Sequence, residues 1–339
     1  MPSRAADSSA PPFSPPPPVV RICPPRGWIS LNLRELWDYR ELLFFWSWRD
    51  VKVKYKQALL GFAWAILVPV IHMAILGTIF GRWARLPSDG LNPYLFYLAG
   101  VVPWSYFAGA LSAASDSLVG RSNLLTKIYF PRLIMPLGAC VSGLVDFSIA
   151  FAILVVMIFC LGSTPAWTIV LVPLLVLIAF GTALGAGLVL AALNVKYRDV
   201  RFVVPFLIQV WMFCSIILPF SRIPEEQYGS WRYLYGLNPM GSVVEGFRWC
   251  LLRHDMFVET TTKERIDGRL VPERMPKGQG LEVRVEENGK TEMVQTTTVR
   301  APVQPPWILL GISSGTMLLF LVFGLFYFKR LEKMFADVV

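Results

Sequence analysis

Six stretches of this chain, roughly 59 to 80, 94 to 115, 133 to 161, 166 to 193, 202 to 220 and 307 to 328, hold a single formal charge among them, Asp146. A bilayer's hydrocarbon core takes about 20 apolar residues of helix to cross. No water is available there to pair backbone amides, so each spanning segment must satisfy its own. Runs this long, without the alternation of barrel strands, predict α-helices. The expected fold class is an all-α polytopic membrane protein with six transmembrane helices. Composition agrees: 55% of the 339 residues are hydrophobic and 16% charged, against about 25% charged in soluble domains.

Lys and Arg placement sets the expected orientation. Arg49, Lys52, Lys54 and Lys56 precede the first run; Arg121, Lys127 and Arg132 follow the second; Lys196, Arg198 and Arg201 follow the fourth; Lys329, Arg330 and Lys333 follow the last. All fall on one side, which predicts that both termini are cytoplasmic. The net charge of +9 is largely this bias and calls for no nucleic acid.

The remaining segments read separately. Residues 1–30 carry the tract PPFSPPPP and no apolar core of a signal peptide, which predicts a disordered Pro-rich cytoplasmic tail. Residues 31–57 read as an amphipathic interface helix. Leu33, Leu36, Trp37, Leu43, Phe44 and Trp48 can share one face there, and Arg49, Lys52, Lys54, Tyr55 and Lys56 can meet lipid headgroups. Residues 58–253 form the expected core, with five spans and a re-entrant helix. Residues 254–304 alternate apolar and polar positions on both sides of Asn288-Gly289, a hairpin pattern, and predict a small β-rich extracytoplasmic insertion. Residues 305–339 supply the sixth span and a cytoplasmic C-terminus.

Catalytic chemistry has little to stand on. Gly289-Lys290-Thr291 resembles the end of a phosphate-binding loop, but Arg284 stands where the first glycine belongs. The histidines are His72, expected as a packed imidazole, and His254. No catalytic or metal-ligating constellation is expected, and the cysteines form no CxxC pair. Any ATP-driven step must therefore draw on a separate subunit. Asp146 reads either as a contact on a transport path or as a carboxylate bonded to Ser142 or Ser148.

Three further groups are singled out. The basic, aromatic loops LLTKIYFPRLIMP and LNVKYRDVRFVVP are ordinary positive-inside loops or short rigid helices that push against a partner, with Tyr129, Phe130 and Tyr197 as knobs. In LNPMGSVVEGFRW, Asn238 can cap a helix, Pro239 suits its first turn, and Glu245 can pair with Arg248 three residues on. That helix is too short to cross a bilayer and fits a re-entrant outer gate. Trp64, Trp104, Tyr106, Phe107, Phe206, Trp211 and Phe213 offer faces on which sugar rings can stack, as candidate channel aromatics.

Five pieces in order resemble the permease subunits of ABC exporters for bacterial surface polysaccharides: RDVKVKYKQALLGFAWAILVP, YLAGVVPWSYFAGAL, LLTKIYFPRLIMPL, NVKYRDVRFVVPFLIQVWMFCS and LNPMGSVVEGFRWCLL. The likeness implies a homodimer joined by two ABC ATPase subunits that bind ATP and magnesium, this chain binding no cofactor. It implies outward transfer of polyprenyl-diphosphate-linked O-antigen, capsule or teichoic acid-like glycan across the cytoplasmic membrane. It further implies that Lys127, Tyr129, Phe130, Pro131 and Arg132, with Lys196, Tyr197, Arg198 and Asp199, receive the ATPase movement. Alternatives are an ABC exporter of a drug or glycolipid, or a membrane-embedded enzyme acting on lipid-linked sugar. The long insertion after Arg253 and the Pro-rich tail depart from the family pattern.

Overall fold

The computed structural model describes residues 33–56, 61–86, 88–121, 130–197, 199–217, 220, 223, 228–265, 279–285 and 291–332. The Pro-rich tail, Lys127, Tyr129, Arg198 and the Asn288-Gly289 turn lie outside them. Two helices open the fold, α1 (Leu33–Asp38) and α2 (Arg40–Lys56). Next come α3 (Gly61–Leu76), continued by a π-helical turn over Gly77–Trp83, then α4 (Pro93–Asp116) and α5 (Ile134–Cys160). A 3-10 turn, Trp167–Leu171, leads into α6 (Val172–Lys196), and α7 is Val200–Ile216. A further 3-10 segment, Gly229–Leu237, precedes α8 (Pro239–Leu252), and α9 (Trp307–Glu332) is the last described element.

Among the described residues five helical segments are long and apolar enough to cross a membrane: Ala63–Trp83, Pro93–Asp116, Ile134–Cys160, Trp167–Lys196 and Trp307–Glu332. The remaining run, 202 to 220, forms α7, whose 17 residues extend about 25 Å at 1.5 Å per residue. That is shorter than the other five because the helix stops at Ile216, so six full-length spans are not what the described residues contain.

Helix α4 lies at the centre, with most of its residues buried. Pro93 occupies its first turn, and the Asn92 side chain accepts a bond from the Tyr94 N–H at 3.1 Å. At its far end buried Asn194 on α6 donates to the Ser115 carbonyl at 3.1 Å and to Asp116 Oδ1 at 3.0 Å, satisfying groups that the ending helix leaves open. Helices α6 and α9 cross at glycines. A Cβ built on Gly324 would stand 2.2 Å from the Gly185 carbonyl oxygen, and one on Gly185 2.6 Å from the backbone of Phe320 and Leu321. Only glycine permits this approach, the way small residues let helices pack closely in lipid.

Between α8 and α9 three strands, β1 (Phe257–Arg265), β2 (Gln279–Val285) and β3 (Thr291–Pro302), form an antiparallel sheet in the order β1-β3-β2. Phe257 pairs with Pro302 and Val285 with Thr291. The ends of the sheet meet the helices where Trp249 Nε1 donates to the Val303 carbonyl at 3.3 Å.

The amphipathic face expected at residues 31–57 is divided. Trp46 and Ser47 are buried, with Leu36, Leu42 and Leu43 packed beside them. Trp37, Phe44 and Trp48, expected on that face, are exposed together with Phe45. Steps of three and four residues link Leu42, Leu43, Trp46 and Ser47, so α2 turns this stripe to protein and Phe44, Phe45 and Trp48 outward. Arg40 stands over Trp37 at 5.6 Å and Lys52 over Trp48 at 5.5 Å.

Candidate functional site

The one carboxylate within the apolar runs meets α2. Asp146 Oδ2 accepts from Lys54 Nζ at 2.5 Å, and Asp146 Oδ1 accepts from the Tyr55 hydroxyl. Ser142 and Ser148, the partners expected from sequence, instead donate to the carbonyls of Ala139 and Leu144 on their own helix. A hydroxyl near a helical carbonyl bonds backward along its own helix, which leaves the carboxylate to a partner from outside it. Burial, then the hydrogen bond and charge of Asp146, hold the Tyr55 phenol well above its ordinary range. Nearby, Ser47 Oγ donates to the Gly138 carbonyl at 3.3 Å and Arg49 pairs with Asp50 at 3.3 Å. Lys52 and Lys56 point away as exposed cations.

These contacts border a cavity of about 740 Å³ between α2, α3, α4 and α5. Lys54, Tyr55, Asp50 and Asp146 line it on the α2 side, while Trp64, Tyr106 and Phe147 contribute aromatic walls. Asp50 carried no expected role. The other channel candidates lie elsewhere. Trp104 and Phe107 are buried in the core, Phe107 packs edge-on against Trp211 at 4.9 Å, and Phe206 and Phe213 are exposed on α7. Tyr106 is buried too and donates to the Cys140 carbonyl at 3.3 Å. The seven are thus divided between this cavity, the packed core and the exposed face of α7. His72 is exposed rather than packed: among the described residues nothing covers its side of α3.

Helix α8 is the second constellation. All 14 of its residues are buried, although it is only about 21 Å long. Arg248, at 0% exposure, donates from Nη1 to Glu245 at 2.9 Å, from Nη2 to the Ile216 carbonyl at 2.7 Å and from Nε to the Phe96 carbonyl at 3.3 Å. Its guanidinium also lies 3.7 Å from the Phe96 ring centre. Glu245 accepts in turn from the Phe220 N–H at 3.3 Å. One arginine thereby ties α8 to α4 and to the open carbonyl end of α7.

Asn238 stands at the start of α8 with Pro239 in the first turn, but its side chain does not cap the helix. Its Oδ1 accepts from Trp211 Nε1 at 2.7 Å and its Nδ2 donates to Ser215 Oγ at 2.9 Å, because α7 supplies partners that the helix start would otherwise provide.

The expected coupling residues separate into buried and exposed. Phe130, expected as a projecting knob, is 5% exposed and meets Trp46 edge-on at 4.7 Å, joining the loop before α5 to α2. Phe328 and Leu331 of α9 belong to the same apolar cluster. The Pro131 carbonyl accepts from the Ile134 N–H at 3.0 Å, and the Arg132 guanidinium donates to the Glu332 carbonyl. In the second loop Tyr197 is 52% exposed with Lys196 stacked on its ring at 5.0 Å, and the Asp199 carbonyl accepts from the Phe202 and Val203 N–H groups. Among the described residues no separate helix lies between them: α6 ends at Lys196 and α7 starts at Val200. Trp46 carried no expected role; its spacing from Leu42 and Leu43 was the available signal.

Comparison with known proteins bears on the whole of this arrangement. A family profile described as "ABC-2 type transporter" matches residues 41–252. The O-antigen export system permease protein RfbA of Myxococcus xanthus is 31% identical over 223 residues, covering 66% of this chain and 84% of the relative. A protein of the same name from Klebsiella pneumoniae is 28% identical over 234 residues, covering 69% and 85%. The polysialic acid transport protein KpsM of Escherichia coli is 25% identical over 203 residues, covering 58% and 76%. The matched residues run from the start of α2 to the last residue of α8, through both constellations, and the chain belongs to the ABC-2 type transporter family.

Proposed function

We propose that this chain is the membrane-embedded subunit of an ATP-driven exporter that moves a polyprenyl-diphosphate-linked polysaccharide outward across the bacterial cytoplasmic membrane. The observation that carries the reading is the 31% identity over 223 residues to an O-antigen export permease. Two copies of the chain work with two separate ATPase subunits. Both termini are cytoplasmic, α7 serves as the fifth of six crossings, and α8 dips in from the outer side as a gate. The sheet between α8 and α9 then lies outside.

The contacts at the α2 end support a route for mechanical coupling. Force on the loop before α5 reaches α2 through Phe130 and Trp46, and α9 through Arg132 and Glu332. From α2 it passes to the middle of α5 through Lys54, Tyr55 and Asp146. At the other end Arg248 holds α8 to α4 and α7, so the gate moves with the helices and not as a loose flap.

The test is purification of the tagged full chain from its native membrane in mild detergent, with mass spectrometry of co-purifying proteins and an ATPase assay. A stoichiometric ATPase supports the reading. A folded chain without any ATPase across several detergents sinks it in favour of a passive channel or a membrane enzyme.

A further inference from the structure

Helix α8 ends at a cluster of indoles. Arg253, the residue after it, holds its guanidinium carbon 5.8 Å from the Trp167 ring centre and 5.4 Å from that of Trp249. Trp307 meets Trp249 edge-on at 5.7 Å, and the Trp249 Nε1 donates to the Val303 carbonyl. Three elements converge there: the 3-10 turn that opens α6, the end of α8 and the start of α9. Trp167 and Trp307 are also the first residues of two of the spans. Indoles gather where hydrocarbon gives way to headgroups, so Arg253 stands at headgroup depth.

From this cluster a groove runs into the membrane between α6 and α9. On α6, Trp167, Val170, Leu174 and Leu177 are each at least half exposed and recur at steps of three and four residues. The next member of the stripe is Gly181, where Met317 of α9 closes the way, its sulfur 2.5 Å from a Cβ built on the glycine. Nearer the indoles α8 is wedged between the two helices. A Cβ on Gly246 would meet Leu175 of α6 at 2.8 Å and Leu310 of α9 at 3.5 Å. The stripe is therefore the side of α6 that α9 covers from Gly181 onward and leaves open before it. Its length is about 17 Å, at 2.0 Å per residue in the 3-10 turn and 1.5 Å in the helix. That is roughly half of a hydrocarbon core about 30 Å thick, the depth of one leaflet.

Charge identifies what the mouth of the groove takes. Among the described residues Arg253 makes no hydrogen bond or ion pair, with Asp255 or any other group, and its guanidinium meets only indole rings. The planar fork of a guanidinium matches two oxygens of a phosphate. We infer that Arg253 binds the phosphodiester of a glycerophospholipid from the leaflet at this face, with one acyl chain along Trp167, Val170, Leu174 and Leu177. The lipid fills the gap that α8 props open between α6 and α9, and it ties the end of α8 to the membrane surface. The site requires only that Trp167 and Trp307 open spans, so it stands whether or not the exporter reading does.

The experiment uses the purified full chain in mild detergent, exchanged with mixed micelles of phosphatidylglycerol and a diacylglycerol with the same acyl chains, and read by native mass spectrometry. The expected result is one phospholipid retained per chain, favoured about tenfold over the diacylglycerol, as a charge-assisted hydrogen bond would give. Arg253→Gln should bring the two lipids within about twofold of each other on that account. Arg82→Gln, which removes an exposed cation from the ring of Tyr94 at the end of the first span, should leave the preference intact. Excess inorganic phosphate should not displace the lipid, because the groove holds its chain as well. Equal retention of the two lipids by the unaltered chain would overturn the assignment, as would equal effects of Arg253→Gln and Arg82→Gln. Displacement by inorganic phosphate would overturn the acyl-chain half of it.

Discussion

Asp146 on α5 is bonded to Lys54 at 2.5 Å, so the lone charge in the apolar runs fastens the helix that precedes the first span. The pair is partly solvated, at 61% and 33% side-chain exposure, and such ion pairs contribute about 0–1 kcal/mol. Lys54→Met is therefore expected to cost less than about 1 kcal/mol. Asp146→Ala also strips the Tyr55 bond and should cost roughly one hydrogen bond more, about 0.5–1.5 kcal/mol. Hydrogen exchange of the α2 amides checks the order: faster exchange in Lys54→Met than in Asp146→Ala would contradict it.

Tyr55 gives that attachment a pH limit. Its phenol is held above the ordinary value, so the folded site prefers the neutral form. The contribution is complete below about pH 10, the unfolded value, and is lost as pH climbs from there through the raised folded value. Between pH 8 and 11 the unaltered chain should lose more thermal stability than Tyr55→Phe, which has nothing to ionise at that position. Parallel melting curves for the two would count against the assignment.

Phe130 and Tyr197 should behave as opposites. Truncating a buried aromatic costs about 3–5 kcal/mol, so Phe130→Ala lowers the melting temperature sharply. The double variant Trp46→Ala, Phe130→Ala should fall short of additivity by about 0.5–1.5 kcal/mol, the worth of an aromatic pair. Tyr197→Ala, at an exposed position, should stay within about 0.5 kcal/mol of the unaltered chain. On the proposed function it still weakens co-purification of the ATPase. Full ATPase recovery with Tyr197→Ala would remove that loop from the coupling surface.

The Arg248 cluster should tolerate double replacement better than single. Arg248→Met leaves Glu245 buried without its cation, at about 3–5 kcal/mol. Glu245→Gln combined with Arg248→Met removes both charges and is expected to recover part of that loss. Thermal unfolding in a single detergent compares the two, and equal losses would show that packing at Arg248 outweighs its charge.

At the α6–α9 crossing, Gly324→Ala places a methyl group against backbone that no side-chain rotation can relieve. Overpacking of this kind costs about 1–3 kcal/mol. Gly311→Ala on the same helix meets nothing within 4 Å and should be neutral or stabilising by up to about 1 kcal/mol. Equal melting temperatures for the two would mean the crossing is looser than described.

Residue chemistry read along the chain reached the helices because burial in lipid imposes length and the absence of charge, both visible without coordinates. It also reached the Glu245–Arg248 pair, since three-residue spacing on a helix brings two side chains together. It missed the Asp146–Lys54 contact, where the partners are 92 residues apart and nothing local links them. It turned Phe130 outward for a related reason: an aromatic in a short basic loop looks exposed until Trp46 arrives from another helix. Asn238 shows a third limit. Its type suits a helix cap, but the amide follows whichever partners are nearest, and those belong to α7.

Phe257 pairs with Pro302, and the Trp249 indole reaches Val303, so everything from 257 to 302 enters and leaves through one narrow neck. Paired Cα atoms across an antiparallel ladder stand about 4.5–5.5 Å apart, a gap that one or two residues bridge at about 3.8 Å per step. The insertion is thus attached as a cassette. It can be lengthened, exchanged or cut to a short linker without moving the ends of α8 and α9, so that what the sheet presents can be refitted while the helical bundle keeps its geometry.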